Sequence, residues 1–182
     1  IIPVLRLVNE TYKPLFGFTP MSEAEMKKFA SQYLPVLDPE YVKIVVNTND
    51  DIIAFVVAIP DMSEGIQKAK GKLLPFGFLY VLNAMRKSKQ LNLMLGAIRN
   101  GYRGTGITAL MGKAMLESAN RAGIKIMDSH LILEHNYTMR GECEKLNGNV
   151  CKRYRIFSKK RIETTPTSFD IYLVRHNQQL IF

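Results

Sequence analysis

"RNGYRGTGIT", residues 99–108, sets three glycines and two arginines between the apolar run "LNLMLGAI" (91–98) and a segment of helical spacing, "TALMGKAMLESANRAG" (108–123). Glycines at the mouth of a helix let backbone amides come close to a partner, and a helix N-terminus favours an anion there. Three readings of the stretch are open. It is a tight turn in which glycine relieves positive φ. Alternatively it is a dinucleotide loop, since "GTGITA" (104–109) fits G-x-G-x-x-G/A and Asp128 lies 19 residues beyond Ala109, where a ribose partner is sought. Or it is a phosphate cradle of another kind. Against the dinucleotide loop, "RNGYR" separates the strand from the first motif glycine, and an antiparallel hairpin precedes that strand.

Working outward, "YVKIVVNT" and "IIAFVVAIP" are β-branched runs joined by "NDD", the pattern of an antiparallel hairpin. Two helices open the chain. The first, "PVLRLVNETYKPL", stops at Pro14; the second, "SEAEMKKFASQYL", begins with Ser22 and Glu25 in capping-box spacing. Between the hairpin and the loop strand, residues 61–90 hold a short helix at "SEGIQKAK", a turn at Gly71 and a helix after Pro75 with a basic end. After the loop helix come a strand, "KIMDSHLILE", a helix, "NYTMRGECEKLNG", and strands at "NVCKRYRIF" and "SFDIYLVRH" (168–176). This order predicts an α/β (α+β) chain with a mixed central sheet and helices on both faces.

The 182 residues, 47% of them hydrophobic, suffice for one core, and a single domain over 1–182 is expected. Net charge is +9, unevenly spread: residues 1–66 carry five Lys/Arg against nine Asp/Glu, and 67–182 carry twenty against seven. Such a field attracts nucleic acid, an anionic membrane face or a phosphorylated ligand. Two cysteines, Cys143 and Cys151, and three histidines show no zinc spacing, so no metal is expected. Nothing at the start reads as a secretory leader, and no apolar run approaches the ~20 residues of a membrane span. The expected setting is cytoplasmic, without a membrane partner. An opening Ile1 in place of methionine suggests the later part of a longer chain.

The loop resembles the acyl-CoA loop of the GNAT superfamily of N-acyltransferases, whose pattern Arg/Gln-x-x-Gly-x-Gly/Ala falls on Arg103, Gly104, Thr105, Gly106, Ile107 and Thr108. Thr108 departs from the small last residue; its hydroxyl could cap the helix or touch a phosphate. The element order and "ILEHNYTM" extend the resemblance over residues 3–160, leaving 161–182 as a tail expected to form an edge strand. The resemblance implies acetyl-CoA or another acyl-CoA as co-substrate. It also implies an amine acceptor, small molecule or peptide, attacked directly by its neutral form. Nucleic acid is not the expected partner, and a homodimer stays open.

Site residues follow from that likeness. Backbone amides before the loop, at Ala97 and Ile98, hold the thioester arm, and Asn136 with Met139 contact the pantetheine. The position of the family's tyrosine acid is filled by Cys143, which leaves Tyr137 and Tyr154 as alternative proton carriers. Strand alternation places Asp128, His130, Ile132 and Glu134 on one face. Glu134 is then a candidate base or an organiser of the next loop, and His130 a satisfied core histidine or a base. Phe76, Phe78 and Tyr80 line an acceptor or acyl pocket, or belong to the core, the reading their spacing favours. Two alternatives to an enzyme remain: a silent acyl-CoA-binding module, and a nucleic-acid binder built on "CKRYRIFSKKR".

Overall fold

Local sequence explains the first helices of the structure, a computed structural model that describes residues 1–15, 17–156 and 175–181. α1 (Ile2–Tyr12) carries Pro3 in its first turn, where a missing N–H costs nothing, and buries Val4, Leu5, Leu7 and Val8. α2 (Glu23–Tyr33) starts with both bonds of the expected capping box: the Glu25 amide donates to the Ser22 hydroxyl at 3.3 Å and the Ser22 amide to the Glu25 carboxylate at 2.7 Å. The Asn9 side chain ties the two helices by bonds of 2.7 and 2.9 Å to the Met21 backbone.

β1 (Val42–Val46) and β2 (Ile52–Pro60) form the expected hairpin, and β3 (Gln90–Ile98) pairs antiparallel with the other edge of β2. β2 is apolar throughout because helices cover both its faces. Phe55 and Val57 cluster with Val4, Leu7 and Val8 of α1. On the opposite face Ala58 clusters with Met115 and Ala119, and Ala54 with Ile107 and Met111, all on α5 (Ile107–Arg121). The β2–β3 register slips once, so that Val57 opposes Leu95 and Ala58 opposes Leu93, with Met94 left as a bulge.

Between β2 and β3 lie α3 (Ser63–Lys68) and α4 (Gly77–Lys87). They touch through backbone. A Cβ on Gly65 would stand 2.6 Å from the Tyr80 carbonyl oxygen and the Val81 Cα, and one on Gly77 would run into the Lys72 carbonyl. The core reading of Phe76, Phe78 and Tyr80 is overturned. All three are exposed, because α4 turns Gly77, Val81 and Ala84 inward.

Residues Ile1–Met127 and Asp128–Phe182 are two compact units. The second contains most of β4 (Ile126–Leu133), then α6 (Tyr137–Lys145), β5 (Asn149–Ile156) and β6 (Arg175–Ile181). α6 ends as Asn147 takes φ 60° and the Gly148 N–H returns to the Cys143 carbonyl at 3.0 Å. The last strand departs from expectation in its neighbours. It runs over 175–181, while 168–174 lie outside the described residues, and it pairs with β4 on one side and β5 on the other instead of forming an edge.

Candidate active site

The glycine loop closes onto α5 through three left-handed residues, Gly101, Gly104 and Gly106, with φ of 90°, 78° and 86°. Nothing lies within 4 Å of a Cβ placed on any of them, so glycine is required here by backbone conformation and leaves open space. Gly106 is the N-cap of α5 and offers no side chain to the first-turn amides. Thr108 therefore stands at the second helical position and is not the N-cap. The Thr105 hydroxyl donates to the Tyr102 carbonyl at 2.7 Å, which pins the turn. Arg103 is exposed with its Nε 3.5 Å from the Ile98 carbonyl, whereas the Arg99 guanidinium lies 3.4 Å from the Glu10 carboxylate. The result is an uncapped, positive helix end with an arginine beside it and no acid in its first turn. β3 is antiparallel to β2, so the strand before the loop follows an antiparallel hairpin and does not open the sheet, and the dinucleotide reading loses its context.

The strand before the loop shows which amides face outward. The Tyr12 hydroxyl donates to the Gly96 carbonyl at 2.9 Å and accepts the Gly96 N–H at 3.3 Å, so both groups of Gly96 point away from β2. Alternation then turns Ala97, opposite Phe55, toward β2 and Ile98 outward again. The outward amides are thus those of Gly96 and Ile98, and of the two the sequence pointed to Ile98 alone. The signal for Gly96, a glycine in a strand, was present in the sequence, but its orientation depends on register.

In the second unit, Asn136 starts α6 as expected, its side-chain oxygen accepting the Met139 N–H at 3.2 Å. Glu134 is half-buried just past the end of β4, and its carbonyl accepts from Arg140 at 3.2 Å. Tyr137 is exposed with its hydroxyl 3.5 Å from His135 Nδ1. The expected shared face of Asp128, His130, Ile132 and Glu134 does not form. His130 takes φ 54° and the β4–β6 register slips between Asp128 and Leu131, so Asp128 and Ser129 are both buried. The His130 N–H donates to the Asp128 carboxylate at 2.9 Å, and its half-exposed ring is no core histidine. Cys143 is buried with Ile132, and burial, then Glu142 and Glu144, push its thiol up to about 11. It stays protonated near neutrality. Among the described residues no group of His, Cys, Asp and Glu could hold a metal ion.

No family model matches the chain. Solved structures do. A phosphinothricin acetyltransferase of the GNAT superfamily from Sinorhizobium meliloti, in complex with AcCoA, superposes with a TM-score of 0.61 at 14% identity, covering 100% of this chain and 84% of that one. The fold is that of the GNAT N-acetyltransferases. A ribosomal-protein-alanine N-acetyltransferase from Brucella melitensis gives 0.62 at 10% identity over 98% of this chain and 91% of that one. The GNAT fold accounts for the mixed sheet with helices on both faces that the element order predicts.

Among curated proteins, a bacterial ceramide synthase of Caulobacter vibrioides (strain NA1000 / CB15N) is 30% identical over 159 residues, 84% of this chain. Protein YghO of Escherichia coli (strain K12) is 27% identical over 160 residues, 85% of this chain. The GNAT-fold chain spans 41% of the length of each.

Proposed function

We propose that the chain binds an acyl-CoA at the head of α5 and transfers the acyl group to an amine. The observation that carries this reading is the uncapped α5 terminus behind three exposed left-handed glycines, with Arg103 beside it. Amides from Gly104 to Thr108 would surround the diphosphate, and the open space at each glycine leaves room for it. The thioester arm would lie along the outward edge of β3, at Gly96 and Ile98; Asn136 and Met139 are pantetheine contacts on the family's likeness alone. Glu134 is the proposed base that takes the proton from the acceptor's ammonium and so frees the neutral amine to attack the thioester carbonyl, with His130 the alternative base; Tyr137 or Tyr154 gives a proton to the departing thiolate. The fold neighbour that holds AcCoA supports the choice of co-substrate. The relative whose name is ceramide synthase supports an amino lipid as acceptor and a donor longer than acetyl.

A second reading is a binding module without chemistry. It is favoured by Cys143, which occupies the place where the family's likeness puts a tyrosine acid and is buried and protonated. Calorimetry with acetyl-CoA and palmitoyl-CoA, followed by a free-thiol assay against pooled amines that include a long-chain amino alcohol, separates the two. Heat with thiol release is expected, and Glu134→Gln should keep the heat while turnover falls by about 100-fold or more. Heat without release establishes the silent module. No heat with any coenzyme A derivative ends both readings, and binding of DNA instead would turn attention to exposed Lys152, Arg153, Tyr154 and Arg155 on β5.

A further inference from the structure

The α3–α4 hairpin shows its apolar side to water. Leu74 is 82% exposed, Phe76 68% and Leu73 56%, all in the turn that leads into α4. On α4 itself Leu79, Leu82 and Arg86, at i, i+3 and i+7, share the face opposite Gly77, Val81 and Ala84, and both leucines are about half exposed. The usual arrangement is inverted: the small residues Gly65 and Gly77 pack inward by backbone contact, and the large apolar ones point out. Contiguous apolar surface of this kind marks an interaction site.

The charges around it say what it meets. Lys68, Lys70 and Lys72 precede the apolar turn, and Arg86, Lys87 and Lys89 close α4, every one of them exposed. Between residues 62 and 90 the single acid is Glu64, which is itself paired with Lys68 at 3.7 Å. A second copy of the chain on this face would set cations against cations. Nucleic acid would answer the cations but gain nothing from Leu74, Phe76, Leu79 and Leu82. A surface that is anionic above and hydrocarbon beneath answers both sets of side chains.

We propose that the α3–α4 hairpin docks the protein on an anionic lipid bilayer, the turn of Leu73, Leu74 and Phe76 entering the headgroup–acyl boundary while the flanking lysines and arginines hold lipid phosphates. The helix lies on the surface and does not cross it: α4 has 11 residues, about 16 Å at 1.5 Å each. Among the described residues no helix is long and apolar enough to span a membrane. This docking does not depend on the acyl-transfer reading, and vesicle binding and coenzyme binding are read by different measurements.

The test is co-sedimentation of the 182-residue chain with vesicles of phosphatidylglycerol mixed with phosphatidylcholine, and of phosphatidylcholine alone. Binding is expected to the anionic vesicles and at least tenfold weaker to the zwitterionic ones. The triple variant Leu74→Ser, Phe76→Ser, Leu79→Ser should lose binding by tenfold or more with its thermal unfolding unchanged. Lys70→Gln with Lys72→Gln should lose it selectively for the anionic vesicles. Leu74→Asp alone repeats the apolar test should the triple variant misfold. Absence of wild-type binding, or full retention by the apolar variants, overturns the proposal. So does a wild type that is dimeric by size exclusion, becomes monomeric in the triple variant and ignores vesicles, for the face then belongs to a second copy.

Discussion

Tyr12 reaches across 84 residues of sequence to hold both backbone groups of Gly96, and the hydroxyl thereby sits on the edge of β3 where the proposed thioester arm would bond. Two opposite effects should follow from Tyr12→Phe. Stability should fall by about 1 kcal/mol as the hydrogen bonds are lost, with water able to satisfy exposed Gly96. Acyl-CoA affinity should rise several-fold, since the arm no longer competes with the hydroxyl; weaker binding would remove Gly96 from the arm's path. Burial raises the Tyr12 pKa, partly offset by the Gly96 backbone bond. The folded state therefore keeps the proton longer than the unfolded chain, and this contribution, full below the ordinary tyrosine value near 10, is lost as pH rises through the raised one. Denaturant midpoints across that range should fall more steeply for the wild type than for Tyr12→Phe, with the raised Cys143 thiol acting equally on both. Residue roles were legible in the sequence where they are local. Ser22 with Glu25, and Asn136 with its own helix, needed only spacing. The direction of the Ala97 amide was not legible, because it is set by pairing with β2, and that of Gly96 by Tyr12, neither of which is near in sequence.

At the scale of elements, glycine content predicts nothing until its surroundings are known, and two helices show opposite signs. Gly65→Ala must push a methyl to 2.6 Å from the α4 backbone and should cost about 1–3 kcal/mol, with hydrogen exchange accelerated across α3 and α4. Gly112 lies inside α5 with nothing within 4 Å of its added Cβ, so Gly112→Ala should stabilise by about 0.5–1 kcal/mol. Equal midpoints for the two variants would contradict the packing described. The elements up to β5 were legible because each has its own period and stop: Pro14, the 47–51 turn, Gly123, Asn147. What failed was facing. Helical spacing in α4 marks an apolar side without saying whether that side meets protein, and one left-handed residue at His130 was enough to break the alternation assumed for β4. Most of the "SFDIYLVRH" reading lies outside the described residues, and it stops short of "RHNQQLI", which is polar by composition and forms β6 between two neighbours.

Over the whole molecule, the excess positive charge after residue 66 serves two proposed ligands that differ in how they depend on salt. A coenzyme A diphosphate at the α5 terminus is held by Arg103, amide dipoles and the surrounding field, with little apolar burial. A bilayer at the α3–α4 hairpin is held by lysines and arginines and also by Leu73, Leu74 and Phe76, whose transfer from water does not weaken as ions are added. Raising ionic strength from 0.1 M to 1 M shortens the screening length from about 10 Å to about 3 Å. Coenzyme A affinity should therefore drop several-fold or more over that range, read by calorimetry. Vesicle-bound protein should fall at first and then level off at a remainder that the apolar triple variant lacks. A coenzyme affinity indifferent to salt would mean that charge at the helix end is not what grips the ligand. A vesicle signal that vanishes entirely at high salt would mean that the exposed leucines and Phe76 never enter the lipid, and the hairpin would be a charged patch and nothing more.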